Sequence, residues 1–255
     1  MLNRKRELVL TAIPGMPEVE SGANLARVLC AAIDDAGLAL DSGDVLVVAQ
    51  KIVSKAEGRM TRLDGVEPSQ RARELAGEVD KDPRLVELML RESREVLRTR
   101  RGVVIVEHRL GFVMANAGID QSNVGHDESA LLLPEDPDAS ARRIRDGIEE
   151  ACGARVGVII NDSFGRAWRN GVAGVAIGVA GVPALVDARG RPDRAGKPLR
   201  VTLVAAADEL ASAASLLMGQ ADEGMPAVVA RGFPYALREA STRELLRARE
   251  EDLFR

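Results

Sequence analysis

Short apolar runs and helix-spaced apolar stripes alternate along the whole chain. Apolar runs within residues 7–13, 45–49, 155–160 and 227–231 are bounded by turn residues, the pattern of strands buried in a layered sheet. Leu25, Val28, Leu29, Ala32, Ile33 and Ala36 recur at helical spacing, with Gly37 placed to end that helix. Polar amphipathic helices are expected over 67–79 and 83–93, the second opened by Asp82 as N-cap and Pro83 at the first helical position. Asp136 and Pro137 repeat that start, and Gly153 closes the helix after Cys152. Further strands are expected over 103–107, 110–115 and 199–205, with His108 in a turn. An alanine-rich helix should cover 207–218, and a charged helix should form the tail from 240 to 255. The glycines at 174, 178 and 181 suit close backbone packing, and residues 187–198 form a Gly/Pro/Arg-rich loop. Strands and helices interleave without a repeat or linker, so the expectation is a mixed α/β (α+β) chain read as a single unit over 1–255.

Composition changes this picture by exclusion. The chain has 255 residues, 46% apolar and 29% charged, with a net charge of −4. The two signs are interspersed, so no nucleic-acid-binding surface is advertised, and 2% aromatic content argues against base-stacking platforms. No window approaches the ~18 apolar residues of a membrane span, and the start of the chain lacks a cleavage-like signal pattern; a cytoplasmic protein is expected. Cys30 and Cys152 fall on apolar helix faces and read as separate buried thiols in a reducing compartment. With only two histidines, any metal must be held by oxygen, which favours magnesium, manganese or calcium.

The chemistry-bearing residues collect where apolar runs end. The 155–160 run meets Asn161-Asp162-Ser163, where Asp162 is expected to leave the sheet, with Arg166 and Arg169 close behind. The 45–49 run meets Gln50, then Lys51 and Lys55, four apart and hence on one face. A third polar loop contains Asp120, Ser122 and Asn123, and a fourth contains Gln220, Asp222 and Glu223. Two aspartates from separate loops could hold divalent ions, with Lys51, Lys55, Arg166 and Arg169 supplying charge for phosphates. The chain has neither a Walker loop nor a G-x-G-x-x-G opening a helix. These residues alone point to a metal-dependent enzyme that handles phosphoryl groups.

The ordered segments GDVLVVAQKIVSKAEGR, ANAGIDQSNVG, NDSFGRAWRNG and MGQADEGMPAVVARG resemble the coenzyme F420:L-glutamate ligase (F420-0:gamma-glutamyl ligase) family, from about Leu8 to Arg231. The resemblance implies a family-specific fold of two intertwined sub-domains, neither P-loop nor Rossmann, in a homodimer. It implies GTP-dependent addition of L-glutamate to coenzyme F420-0, with magnesium or manganese, two divalent ions in all, and potassium. Asp120, Asp162, Ser163 and Gln220 would be metal ligands. Ile13, Pro14, Gly15, Met16, Gln50, Lys55, Asn123, Met218, Gly219, Gln220, Ala221, Asp222, Glu223, Gly224 and Met225 would contact GTP, although Gln50 stands where relatives often have a small hydroxyl residue. The chain ends at Arg255, so a form without the nitroreductase-like domain of some relatives is expected. The implied reaction passes through an acyl phosphate on the acceptor carboxylate, which the glutamate amine displaces, and needs no covalent enzyme nucleophile. Competing readings are a metal-dependent phosphatase or nucleotide hydrolase, and a non-catalytic nucleotide-binding protein.

Overall fold

A computed structural model describes residues 6–121 and 128–253. In chain order its elements are β1 (Val9–Ala12), α1 (Leu25–Asp35), β2 (Val45–Ala49), α2 (Gln50–Ala56), β3 (Met60–Arg62), α3 (Gln70–Val79), α4 (Pro83–Arg91) and β4 (Ser93–Arg100). There follow β5 (Val103–His108), β6 (Val113–Ala115), β7 (Ser129–Leu131), α5 (Pro137–Cys152), β8 (Gly157–Arg166), β9 (Arg169–Ala180), β10 (Val186–Asp187), β11 (Leu203–Val204), α6 (Ala206–Met218) and β12 (Ala227–Arg231). This is the mixed α/β architecture expected from the sequence.

The central sheet has the order β1-β12-β2-β8-β9, and only the β2–β8 pair in it is parallel. Both faces are covered, which is why its strands read as unbroken apolar runs. Leu46, Val48, Val158 and Ile160 face a core shared with Leu29 and Ile33 of α1 and Ile144 and Ile148 of α5. Val45, Val47, Ile159 and Val228 face the opposite core, built with Ala207, Leu210, Ala211 and Ala214 of α6. Small residues on α6 let it lie close to the sheet. A Cβ on Gly174 of β9 would stand 2.6 Å from the Ala211 carbonyl oxygen, and one on Gly178 would stand 2.4 Å from that of Pro137.

Strand β9 ends the sheet, and side chains from two helices cover its outer edge. Asp208 of α6 accepts from the Ala176 N–H at 2.9 Å, Asp138 of α5 accepts from the Val179 N–H at 2.8 Å, and Ser212 donates to the Gly174 carbonyl at 2.6 Å. The edge is thereby denied to another strand. Residues 60–133 build a third core around Leu85, Val86 and Met89 of α4 and Val104 and Val106 of β5. Phe112, Met114 and Leu133 return from this segment to the main core.

Several local expectations change. Strand β8 does not stop at Ile160 but continues to Arg166 and turns back into β9, because the antiparallel partner keeps its backbone paired. Ser93–Arg100 is a strand although no sequence pattern marked it; its alternation is blurred by exposure on both faces and by irregular register against β5. The 199–205 run keeps only Leu203–Val204 as strand, and the tail forms single 3-10 turns at Thr242–Leu245 and Arg249–Glu251 instead of a helix. Finally, α1 and α5 bring the Cys30 and Cys152 sulfurs to 2.6 Å from each other, and Cys152 is exposed.

His108 is not a turn residue either. It ends β5, fully buried, and accepts from the Leu110 N–H at Nδ1, so its ring proton sits on Nε2, 3.5 Å from Glu92. Glu92 also meets Arg109 at 3.0 Å and Arg59 at 3.2 Å. Burial by itself would raise the Glu92 pKa, but His108, Arg109 and Arg59 outweigh it and hold the carboxyl at about 2. A depressed carboxylate stabilises the fold above its unfolded pKa, and that contribution is lost as pH falls from about 4.5 toward 2. Glu92→Gln should therefore lower unfolding free energy by about 2–3 kcal/mol at pH 7, with the deficit fading below about pH 4; denaturant titrations at both pH values check this.

Candidate functional site

The site lies where the parallel pair comes apart. Ala49, the last residue of β2, pairs with Asn161, and Gln50 then starts α2 while β8 continues through Asp162 and Ser163. Beside them, β12 runs antiparallel to β2, so the loop leading into β12 arrives at the same end, fixed by the Ala49 N–H donating to the Pro226 carbonyl at 2.7 Å. The residues of β2's end, α2, the middle of β8, and the 218–226 segment enclose a cavity of about 230 Å³. Gln50, Lys51, Lys55, Asp162, Ser163, Met218, Gly219, Gln220, Ala221, Glu223, Gly224 and Met225 all line it. Stretches within residues 49–55, 161–163 and 215–226 thus meet at one place.

Asp120 reaches this place from the 60–133 segment that builds the third core. Its backbone is fixed by two hydrogen bonds to Leu131, 3.0 and 2.8 Å, and its carboxylate meets Lys51 Nζ at 2.7 Å. The sequence offered no basic partner near Asp120; tertiary structure supplies one from α2. Asp162 accepts from the Ser163 N–H at 2.8 Å. Burial pushes the Asp162 pKa up to about 6; the Ser163 N–H opposes this, the charge of Asp120 adds to it, and Lys51 pulls it back. The charge of Asp120, near enough to raise the proton affinity of Asp162, adds to a negative potential that a cation relieves.

The remaining polar groups are partly engaged. Gln50 is buried and donates to Ser54 at 2.7 Å, Gln220 donates to Ser215 at 3.2 Å, and Lys55 pairs with Glu18. Glu223 accepts from the Ala221 N–H at 2.9 Å, and backbone N–H groups keep its carboxyl below the usual range. Gly219 has φ +71° and ψ −175°, a backbone region that essentially only glycine adopts, and the Glu223 carboxyl lies over the space a Cβ would take there. Lys55 also connects the 14–18 loop to the site through Glu18. Ile13, fully buried, donates its N–H to Ala227 at 2.9 Å, and Pro14, Gly15 and Met16 follow it at the same end of the sheet without lining the cavity. Asp222 is exposed outside the cavity, and Asn123 lies outside the described residues.

Arg166 and Arg169 stand elsewhere. They pair with each other across the tip of the β8–β9 hairpin, and Arg166 lines a different cavity. Sequence reasoning passed over Asn161 and Ser215. Asn161 is buried, donates to Met218 Sδ at 3.4 Å, and keeps its Oδ1 without a hydrogen-bond partner in the wall of the site. Its place in the Asn-Asp-Ser triplet was the available signal; Ser215, within an alanine-rich helix, gave none.

The donors gathered here are carboxylate, hydroxyl and amide oxygens, which suit a hard divalent ion that retains water and binds substrate phosphates. Asp120, Asp162, Ser163 and Gln220 are the side chains that could hold it. Among the described residues no group of three or more His, Cys, Asp or Glu side chains is placed to hold a metal ion.

A model of the F420-0:gamma-glutamyl ligase family matches residues 15–232. The coenzyme F420:L-glutamate ligase of Methanothermobacter thermautotrophicus is 48% identical over 96% of this chain and 98% of its own length. Those of Methanopyrus kandleri and Archaeoglobus fulgidus are each 45% identical, over 97% and 95% of this chain and 98% and 94% of theirs.

Asp162 also makes a prediction independent of activity. A carboxyl with a raised folded pKa costs stability once it ionises, so that cost appears as pH rises from about 4 to above 6. Asp162→Asn should raise the stability of metal-free protein at pH 8 by about 1–2 kcal/mol, and the gain should vanish at pH 4. Thermal melts across that pH range in chelator provide the check.

Proposed function

The chain belongs to the F420-0:gamma-glutamyl ligase family, and from that premise we propose that it uses GTP to join L-glutamate to coenzyme F420-0. It is a ligase that adds glutamate to coenzyme F420. The observation supporting the fuller reading is the meeting of Asp162, Ser163, Asp120, the two lysines of α2 and the 218–225 loop at the end of the β2–β8 pair.

In this reading the acceptor carboxylate attacks the γ-phosphorus of GTP, and the bond to the β–γ bridging oxygen breaks, releasing GDP. The resulting acyl phosphate has a leaving group that the free carboxylate lacks. The glutamate amine attacks the acyl carbon, phosphate departs with the bonding electrons, and the amine proton passes to solvent or phosphate. Lys51 and Lys55 compensate phosphate charge, exchanging their present carboxylate partners for the nucleotide. The 14–16 loop and the 218–225 loop bound the nucleotide from either side, with Gln50 donating from its amide and Asn123 completing the contact set. Asp120, Asp162, Ser163 and Gln220 would hold magnesium or manganese, two divalent ions in all, and a potassium ion would be an additional component. Such ions neutralise charge that builds on the transferring phosphoryl group. The enzyme's own contribution is alignment of acceptor and γ-phosphate in a shielded site.

The working form is a homodimer in the cytoplasm. No helix among the described residues is long and apolar enough to cross a membrane, and Val201, Leu203 and Leu216 are exposed apolar side chains that a second copy would cover.

Mass spectrometry of F420-0 incubated with the protein, GTP, glutamate and magnesium or manganese tests the proposal. The expected product carries one or more added glutamate units, with GDP released only when glutamate and acceptor are both present. GDP release without glutamate incorporation would instead identify a nucleotide hydrolase. Asp162→Ala and Asp120→Ala should each reduce product formation by about 10³-fold or more, and near-normal ligation by either would overturn the assignment of the metal site.

A further inference from the structure

Beyond Asp162 the β8–β9 hairpin leads to a second cavity, of about 560 Å³, between the hairpin tip and the β4–β5–β6 sheet. Ile105, Val113 and Met114 give it an apolar wall, and Arg98, Arg166 and Trp168 line it. Two segments connect it to the ligand-binding end of the sheet. One is β8, in which Arg166 follows Asp162 by four residues, roughly 13 Å of extended chain. The other is the segment from β6 to Asp120. The same two stretches that deliver both aspartates therefore also wall this cavity.

Its polar side chains are those of a ligand site more than of a folding core. Trp168, the chain's one tryptophan, is 80% exposed in the two-residue turn between Arg166 and Arg169. Its φ is +58°, where glycine or asparagine is the usual occupant of a hairpin turn and an L-residue of this size is strained by roughly 1–2 kcal/mol. Arg98 and Arg166 donate to the backbone carbonyls of Leu97 at 2.7 Å and Asn170 at 3.4 Å, and neither forms an ion pair among the described residues. Among the described residues Asp252 is the one carboxylate lining the cavity, against Arg98 and Arg166, so the balance of their charge is positive. An indole, an apolar wall and two guanidinium groups suit a flat aromatic ring on an anionic chain, and the volume is that of a small-molecule site.

We propose that this cavity receives the aromatic end of the acceptor. The inference rests on the ligase reading above. Coenzyme F420 is a deazaflavin whose planar ring is joined through a sugar-alcohol chain and a phosphodiester to the carboxylate that is extended. The ring lies against Trp168, Arg166 and Arg98 hold the phosphodiester or the anionic ring edge, and the chain runs along β8 so that its carboxylate reaches Asp162. This arrangement separates acceptor recognition at the hairpin tip from phosphoryl chemistry at the sheet end.

The test combines binding with steady-state kinetics on the full-length protein. Fluorescence anisotropy of F420-0 measures acceptor binding without GTP or glutamate, and KM is measured for each substrate. Trp168→Ala should weaken F420-0 binding and raise its KM by about 10-fold or more, the loss of one stacking contact. The KM for glutamate should change by less than about twofold, while Trp168→Phe restores most of the affinity. Arg166→Gln should weaken F420-0 in the same way. Acceptor binding and KM unchanged in Trp168→Ala, with or without a change in oligomeric state by light scattering, would overturn the inference and leave the ligase reading standing. Acceptor binding that depends on Trp168 in a protein that incorporates no glutamate would support the cavity and overturn the ligase reading instead.

Discussion

The pairing of Ala49 with Asn161 is the last rung of the parallel β2–β8 ladder, and the functional end of the molecule depends on it. Parallel strands end on the same side, and ligands in open α/β sheets bind outside the strand ends. Here one strand of the pair stops and the other does not. β2 turns into α2 and presents Lys51 and Lys55, while β8 stays in the sheet, held by β9, and presents Asp162 and Ser163 beside the opening. Asp162 is thus a strand residue with a rigid backbone instead of part of a mobile turn, which suits a group that must hold a fixed position in a charged site.

That rigidity has two supports. On the outer side β9 is fixed by Asp138, Asp208 and Ser212, which also lock α5 and α6 against the sheet. Across the site, Asp120 sits on a separately cored segment, so its approach to Asp162 depends on how that segment docks. Glu92 contributes to this docking. It collects Arg59, just after α2, and Arg109 and His108, at the end of β5, while Arg59 also reaches the Leu133 carbonyl at 2.8 Å. The charged cluster lies outside the reactive cavity and bridges the same two parts that the aspartates come from.

Placing two acidic groups together in a desolvated setting opposes folding, as the raised Asp162 pKa shows. Lys51 offsets part of that cost: it pairs with Asp120 and pulls the Asp162 pKa back down. The left-handed backbone at Trp168 is a second local cost at the far end of the same hairpin. Unfavourable local choices concentrated along β8 and its turn are the pattern of a segment selected for binding more than for stability.

Much of this was legible in the sequence, because apolar runs of strand length and capped amphipathic helices are local signals. Buried strands, the start of α4 at Asp82-Pro83, and the closing glycines after α1, α5 and α6 all follow from the residues themselves. So does the polar chemistry at the run ends, since Asn161-Asp162-Ser163 and Gln50-Lys51 stand out against apolar neighbours. Tertiary structure decided what depends on partners distant in the chain. β8 extends past Asp162 only because β9 pairs with it, and β4 forms only against β5. Lys51 meets Asp120, Glu92 gathers its cations, and Cys30 approaches Cys152 across separations that no sequence window spans. Arg166 and Arg169, four and seven residues from Asp162, look like part of its site on paper. An extended strand carries them roughly 13 Å or more away, and the sequence alone does not reveal that the chain stays extended.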